Sequence, residues 1–282
     1  MARRLRRARR RISLVAELLR EAAGLNGVER RTDFEGGDSP VLLLYGFSST
    51  RRALDVLERR LRRDGYAVFS LNLGGLRRTL DGGGIDDRAL LVREKVERLY
   101  ARHPGLGPLT LVGHSQGGLV AAWYVKRLGG WRRARGVVTL GTPHHGTPLA
   151  LLGVALGPLG RPAWQMLPRS AFLARLAAGP WPPRVRLASV WSRRDELALH
   201  PSSVIDTHGL PHLANVEVDA SHGELLTSRR VYEAVRREIR EAEANAPVRR
   251  GPVEVMAGGG RATLPRCATG AGITSTTGRS SR

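Results

Sequence analysis

This sequence is poor in cysteine, lysine, aromatic residues and long apolar runs. Its 282 residues hold one cysteine, Cys267, which excludes an internal disulfide framework and a cysteine metal cluster. No stretch reaches the roughly 18 apolar residues that a membrane-spanning helix needs. Aromatic residues make up 5% of the chain and no nucleic-acid-binding signature is present, so nucleic acid is not expected as a partner. The only lysines are Lys95 and Lys126, so a net charge of +21 is carried almost entirely by arginine.

That charge is unevenly placed. Residues 1–31 carry ten Arg against three Glu, and residues 245–282 carry six Arg against one Glu. The N-terminal RRLRRARRR is followed by ISLVAELL, but Glu17 and Arg20 interrupt the apolar run and no clean small-residue cleavage site follows. Ile12, Val15, Leu19 and Ala22 instead share one helical face. Residues 1–37 therefore read as a basic arm or helix able to touch an anionic membrane surface. A cytoplasmic or membrane-peripheral location is favoured over secretion. Residues 245–282, rich in Gly, Pro and Thr, read as a disordered tail.

Between these ends, residues 38–244 alternate short apolar runs with helical patterns, the signature of parallel strands joined by crossover helices. Expected strands are VLLLY (41–45), YAVFSLNL (66–73), LTLVG (109–113), GVVTLG (136–141), VRLASVW (185–191) and ANVEVDA (214–220). Helices are expected over 51–63, from a cap at Asp86 or Asp87 to about Ala101, over QGGLVAAWYVKRLG, and from about Thr227 to Glu243. An insertion at about 147–184 breaks the alternation with two apolar helical pieces interrupted by Gly and Pro. Such pieces suit a cap over the strand ends, where open α/β sheets bind ligands, or plain packing on the core. The fold class is α/β, with a mostly parallel central sheet, helices on both faces and a helical cap insertion.

LTLVGHSQGGLV (109–120) places the pattern G-x-S-x-G between an expected strand and an expected helix. There the two glycines leave room for a tight turn that lifts Ser115 to the carboxyl edge of the sheet. A serine hydroxyl is a poor nucleophile until a base removes its proton. After such an elbow an acid and then a histidine follow in chain order. His222, in DASHGELL after the last strand, fits that order. His114 lies within the elbow, with its side chain expected to point away from the nucleophile's position; His103 and His200 precede prolines, and His208 and His212 lie in a connecting loop. His144 and His145 precede every candidate acid. Asp195, in WSRRDE just after strand 185–191, is the first candidate for the acid, ahead of Asp206, Glu196 and Asp219, the last expected to cap its own loop. The oxyanion is expected to meet the N–H of Gln116 and, from the turn YGFSS, the N–H of Phe47.

VLLLYGF, LVGHSQGG, LGTPHHGTPLA, WSRRDE and DASHGELL, in that order, resemble the bacterial lipases and esterases of the α/β-hydrolase fold, and most of all the compact triacylglycerol lipases. The resemblance spans about residues 38–243 and implies Ser115, Asp195 and His222 as a catalytic triad with Phe47 and Gln116 at the oxyanion. Tyr45 stands where the family usually has a histidine before the glycine. The implied activity is hydrolysis of lipid-like carboxylic esters through an acyl-enzyme; no cofactor is expected, the chemistry itself requires no metal, and a monomer is expected. Thioesterase or acyltransferase chemistry on the same fold, and a non-catalytic lipid- or membrane-binding module, are the alternatives.

Overall fold

The computed structural model describes residues 39–45, 54–71, 83–151 and 160–245. The basic arm, the Phe47 turn and the C-terminal tail lie outside the described residues. The first strand, β1 (Pro40–Leu44), is buried along its whole length. Helix α1 (Asp55–Arg63) buries Leu57 and Leu61 and leads to β2 (Ala67–Ser70). Helix α2 (Ile85–Arg102) precedes β3 (Leu109–His114), which is also buried throughout, and α3 (Gln116–Arg127) leads to β4 (Ala134–Leu140). The insertion contributes α4 (Gly160–Gln165) and α5 (Ala171–Ala177). Then come β5 (Arg186–Trp191), β6 (Leu213–Glu217), a single turn α6 (Glu224–Thr227) and α7 (Arg229–Ala244).

The six strands form one sheet in the order β2-β1-β3-β4-β5-β6, every neighbouring pair parallel. The chain first steps from β1 to β2, then back across β1 to β3 and onward. Right-handed crossovers therefore place α1 on one face and α2 and α3 on the other. This reversal opens a crevice beyond the carboxyl ends of β1 and β3, where sheets of this kind bind ligands. The continuous apolar composition of β1 and β3 reflects cover on both faces; β6, at the edge, is only partly buried.

Two boundaries differ from the sequence reading. Helix α2 is capped by Gly84, in extended conformation, and not by Asp86 or Asp87; Asp87 reaches back from the first turn to accept the Gly84 N–H at 2.7 Å. The last helix begins at Arg229, because Ser228 takes an extended conformation between α6 and α7. The insertion packs in two ways. Gln165 Oε1 accepts the Ile85 N–H at 2.6 Å, and Arg161 pairs with Asp86 and Asp87, tying α4 to the start of α2. Phe172 of α5 stacks on Trp123 at 4.6 Å, and Lys126 Nζ donates to the Ala177 carbonyl. Helix α5 thus lies along the half of α3 remote from the elbow. Among the described residues, no helix is long and apolar enough to cross a membrane.

Candidate active site

Ser115 joins β3 to α3 with φ 54° and ψ −127°, a conformation that L-residues avoid and that costs on the order of 1–3 kcal/mol. The glycines around it are required by contact. A Cβ on Gly113 would lie 2.6 Å from the Gly117 carbonyl, and one on Gly117 would lie 2.4 Å from the Leu44 oxygen of β1. A Cβ on Gly118 would strike the Thr142 side chain. The elbow is bonded on both sides: the Ser115 N–H donates to the Leu140 carbonyl at 2.8 Å, and the Thr142 hydroxyl donates to the Ser115 carbonyl at 2.8 Å. Although a serine before a helix commonly caps it, the Ser115 side chain makes no such bond. Its hydroxyl is therefore not spent on the helix it precedes. Gln116 opens α3, where backbone N–H groups lack a carbonyl one turn back and the helix dipole favours negative charge. Its side chain is wholly buried and accepts a hydrogen bond at 2.7 Å from the buried guanidinium of Arg88.

His222 and Asp195 meet across 27 residues of sequence. His222 Nδ1 lies 2.9 Å from both Asp195 oxygens, and the two residues are 7% and 2% exposed. Asp195 Oδ1 also accepts the N–H groups of Leu197 and Ala198 at 2.9 and 2.8 Å. These bonds fix the carboxylate on its own loop before the histidine arrives. A carboxylate facing Nδ1 keeps the proton there and leaves the lone pair on Nε2, the nitrogen able to take a proton from a hydroxyl. His222 also donates its backbone N–H to Glu196 Oε2 at 3.2 Å, and its carbonyl lies 3.2 Å from His114 Nε2. These bonds leave Nε2 without a partner among the described residues.

The other candidates fall elsewhere. Asp206 is exposed and pairs with His208. Asp219 does not cap its loop; it pairs with Arg194 at the surface. Glu196 holds the His222 backbone and not its ring. His145 Nε2 lies 2.9 Å from the Val204 carbonyl, and His144 Nε2 lies 3.0 Å from the Thr139 hydroxyl. Burial, with a smaller push from His145, drives the His144 pKa down to about 3 and keeps its ring neutral. Phe47 lies outside the described residues. Among those described, no group of three His, Cys, Asp or Glu side chains is placed to hold a metal ion.

Two residues that matter to this geometry are not read as site residues from sequence. His114 packs its ring 4.5 Å from that of His222. Gly141, with φ 51°, lies under the acid–base pair: a Cβ there would sit 2.4 Å from Asp195 Oδ2 and 3.1 Å from His222 Nδ1. The signal for Gly141 was its place in LGTPHHGT, directly after β4.

Comparison with known proteins agrees with this architecture. Residues 39–178 match the family described as alpha/beta hydrolase fold. No curated protein matches the chain in sequence. Among solved structures, the Bacillus licheniformis lipase BlEst2 in mature form aligns with a TM-score of 0.59 at 14% identity, over 76% of this chain and 96% of its own. The metagenomic carboxyl esterase MGS0156 aligns with a TM-score of 0.53 at 20% identity, over 78% of each chain. Aspergillus fumigatus lipase B aligns with a TM-score of 0.56 at 16% identity, over 72% of this chain but 53% of its own, so the present chain spans about half of that protein. At these identities the likeness is one of fold. The six-stranded parallel sheet with its helices matches the α/β-hydrolase fold.

Proposed function

We propose that this protein is a serine hydrolase of carboxylic esters, acting on lipid-like substrates through an acyl-enzyme. The observation that carries the reading is the buried Asp195–His222 pair, with Nδ1 held at 2.9 Å and Nε2 unspent, on the same sheet edge as the strained Ser115. In this reading Nε2 takes the Ser115 proton as the oxygen attacks the acyl carbonyl, then returns it to the leaving alkoxide. The Gln116 N–H and the Phe47 N–H receive the oxyanion. Water, deprotonated by the same histidine, attacks the acyl-enzyme and releases the acid, restoring the serine. Asp195 stays ionised throughout and stabilises the imidazolium. The lipase names of structural neighbours support a lipid-like ester as the substrate.

The test is hydrolysis of p-nitrophenyl esters from C2 to C16 by the wild type and Ser115→Ala. The expected result is a wild-type preference for chains longer than C4 and a loss of roughly 10⁴- to 10⁶-fold in kcat on substitution. Equal rates in the two proteins refute the nucleophile. Activity confined to C2–C4 leaves an esterase and removes the lipid preference.

A further inference from the structure

His222 sits on the loop that joins β6, the partly exposed edge strand, to the single turn α6. A base on such a loop must still present Nε2 to the nucleophile within about 0.5 Å of the productive position. Three contacts hold it: Asp195 at Nδ1, Glu196 at the backbone N–H and His114 at the backbone carbonyl. Asp195 and Glu196 are consecutive residues on the loop after β5. They fix the histidine relative to the acid and reach the nucleophile only indirectly, through the pairing of β5 with β4 and of β4 with β3. His114 is the last residue of β3, bonded through the chain to Ser115.

Resting on the serine-hydrolase reading, we propose that His114 is a positioning residue. By donating Nε2–H to the His222 carbonyl and packing against its ring, it registers the acid–base pair to the strand that carries the nucleophile. Several observations support this assignment. The contact spans 108 residues of sequence, and both rings are almost wholly buried. Burial, reinforced by repulsion from the His222 imidazole, pushes the His114 pKa down to about 3. The ring is therefore neutral at working pH and carries a single N–H. A carbonyl facing Nε2 assigns that proton to Nε2. Without His114 the Asp195–His222 pair persists but can shift as a unit relative to Ser115. Such a displacement slows proton transfer while leaving ester binding, which does not involve His114, intact.

The test compares wild type, His114→Phe and His114→Gln in the full chain, with p-nitrophenyl butyrate as substrate and a fluorophosphonate probe to titrate Ser115. Phenylalanine keeps a buried ring and removes the donor. Glutamine places an amide N–H the same number of bonds from Cα as the imidazole Nε2. The expected result is a kcat lowered roughly 10- to 100-fold by Phe with KM within about twofold, and labelling of Ser115 slowed in parallel. Gln is expected to restore kcat to within about threefold of wild type. A Phe variant with wild-type kcat, a Gln variant as slow as Phe, or a change confined to KM overturns the proposal. If the Phe variant does not fold, His114→Asn, whose amide falls one bond short, takes its place: Asn slow with Gln fast supports the role, and equal rates refute it. A wild type that neither hydrolyses the ester nor accepts the probe refutes the serine-hydrolase reading itself, and the positioning role falls with it.

Discussion

Two loops at the carboxyl edge of the sheet carry histidines, and they use them in opposite ways. The loop after β4, residues 141–147, holds His144 and His145, and both Nε2 atoms are engaged, one with the Thr139 hydroxyl and one with the Val204 carbonyl. The same loop clasps the segment after Asp195: the His145 N–H donates to the Ser202 carbonyl at 3.1 Å and the Thr147 hydroxyl to the Leu197 carbonyl at 2.9 Å. The loop after β6 holds His222 by Nδ1 and by both backbone groups, and leaves Nε2 unspent. Burial separates the two loops only in part, since His144 is half-buried, His145 exposed and His222 buried. What separates a structural imidazole from a candidate base is which nitrogen is left over.

The sharpest way to break this comparison is to make His222 resemble His144. Asp195→Asn puts an amide N–H₂ against Nδ1 and so favours the tautomer with its proton on Nε2, where it cannot accept one from Ser115. The expected loss in kcat is on the order of 10³- to 10⁴-fold, with the fold retained by the backbone N–H bonds to the remaining oxygen. Asp206→Asn, at an exposed pair with His208, is expected to change kcat by less than about twofold. Equal losses in the two variants would move the acid away from Asp195.

A second prediction addresses the floor beneath the pair. Gly141→Ala puts a methyl 2.4 Å from Asp195 Oδ2 and 2.6 Å from Leu225 Cδ1, at a φ of 51° that alanine adopts with strain. Displacement of the pair is expected to lower kcat on the order of 100-fold and stability by about 1–3 kcal/mol. Gly223→Ala, next to His222 but with nothing within 4 Å of the added methyl and φ −70°, serves as the contrast. Its effect on the unfolding midpoint and on kcat is expected to be negligible. If Gly141→Ala were equally silent, the acid–base pair would not depend on this contact.

The sequence made some of this architecture legible and hid the rest for physical reasons. Strands such as VLLLY and LTLVG announce themselves because cover on both faces demands a continuous apolar run. Ser115 is legible because the elbow's steric needs fall on Gly113 and Gly117, only two residues to either side. Asp195 and His222 are placed opposite each other by the order of β5 and β6 in the sheet, so chain order alone narrows the choice. Gly141 and His114 are different. Their requirements arise from atoms 54 to 108 residues away; LGTPHHGT marks a turn at Gly141 but does not name the residues it meets. The cap of α2 differs from the sequence expectation because Asp87 serves the helix from its first turn, reaching back to the Gly84 N–H, instead of standing in front of it. The second half of the insertion carries apolar residues because Phe172, Leu173 and Leu176 bury themselves against the core.

The smallest expected effect on kcat accompanies a change in stability against pH, and it tests the burial of His144 on the β4 loop. His144 and His114 both have pKa values pushed down to about 3 by burial, from an ordinary value of 6.5. The unfolded chain therefore binds protons at these two sites that the folded chain refuses. Their contribution is fully present above about pH 6.5 and is lost as the pH falls toward 3, so stability rises with pH across that window. Each site adds a slope of ~1.4 kcal/mol per pH unit within the window. His144→Asn removes one of the two, and urea unfolding between pH 4 and pH 6 should show a slope shallower by about one proton, while kcat at pH 7.5 stays within about threefold of wild type. An unchanged slope would mean that His144 titrates freely in the folded protein, and the contrast between an engaged imidazole on the β4 loop and an available one on the β6 loop would be lost.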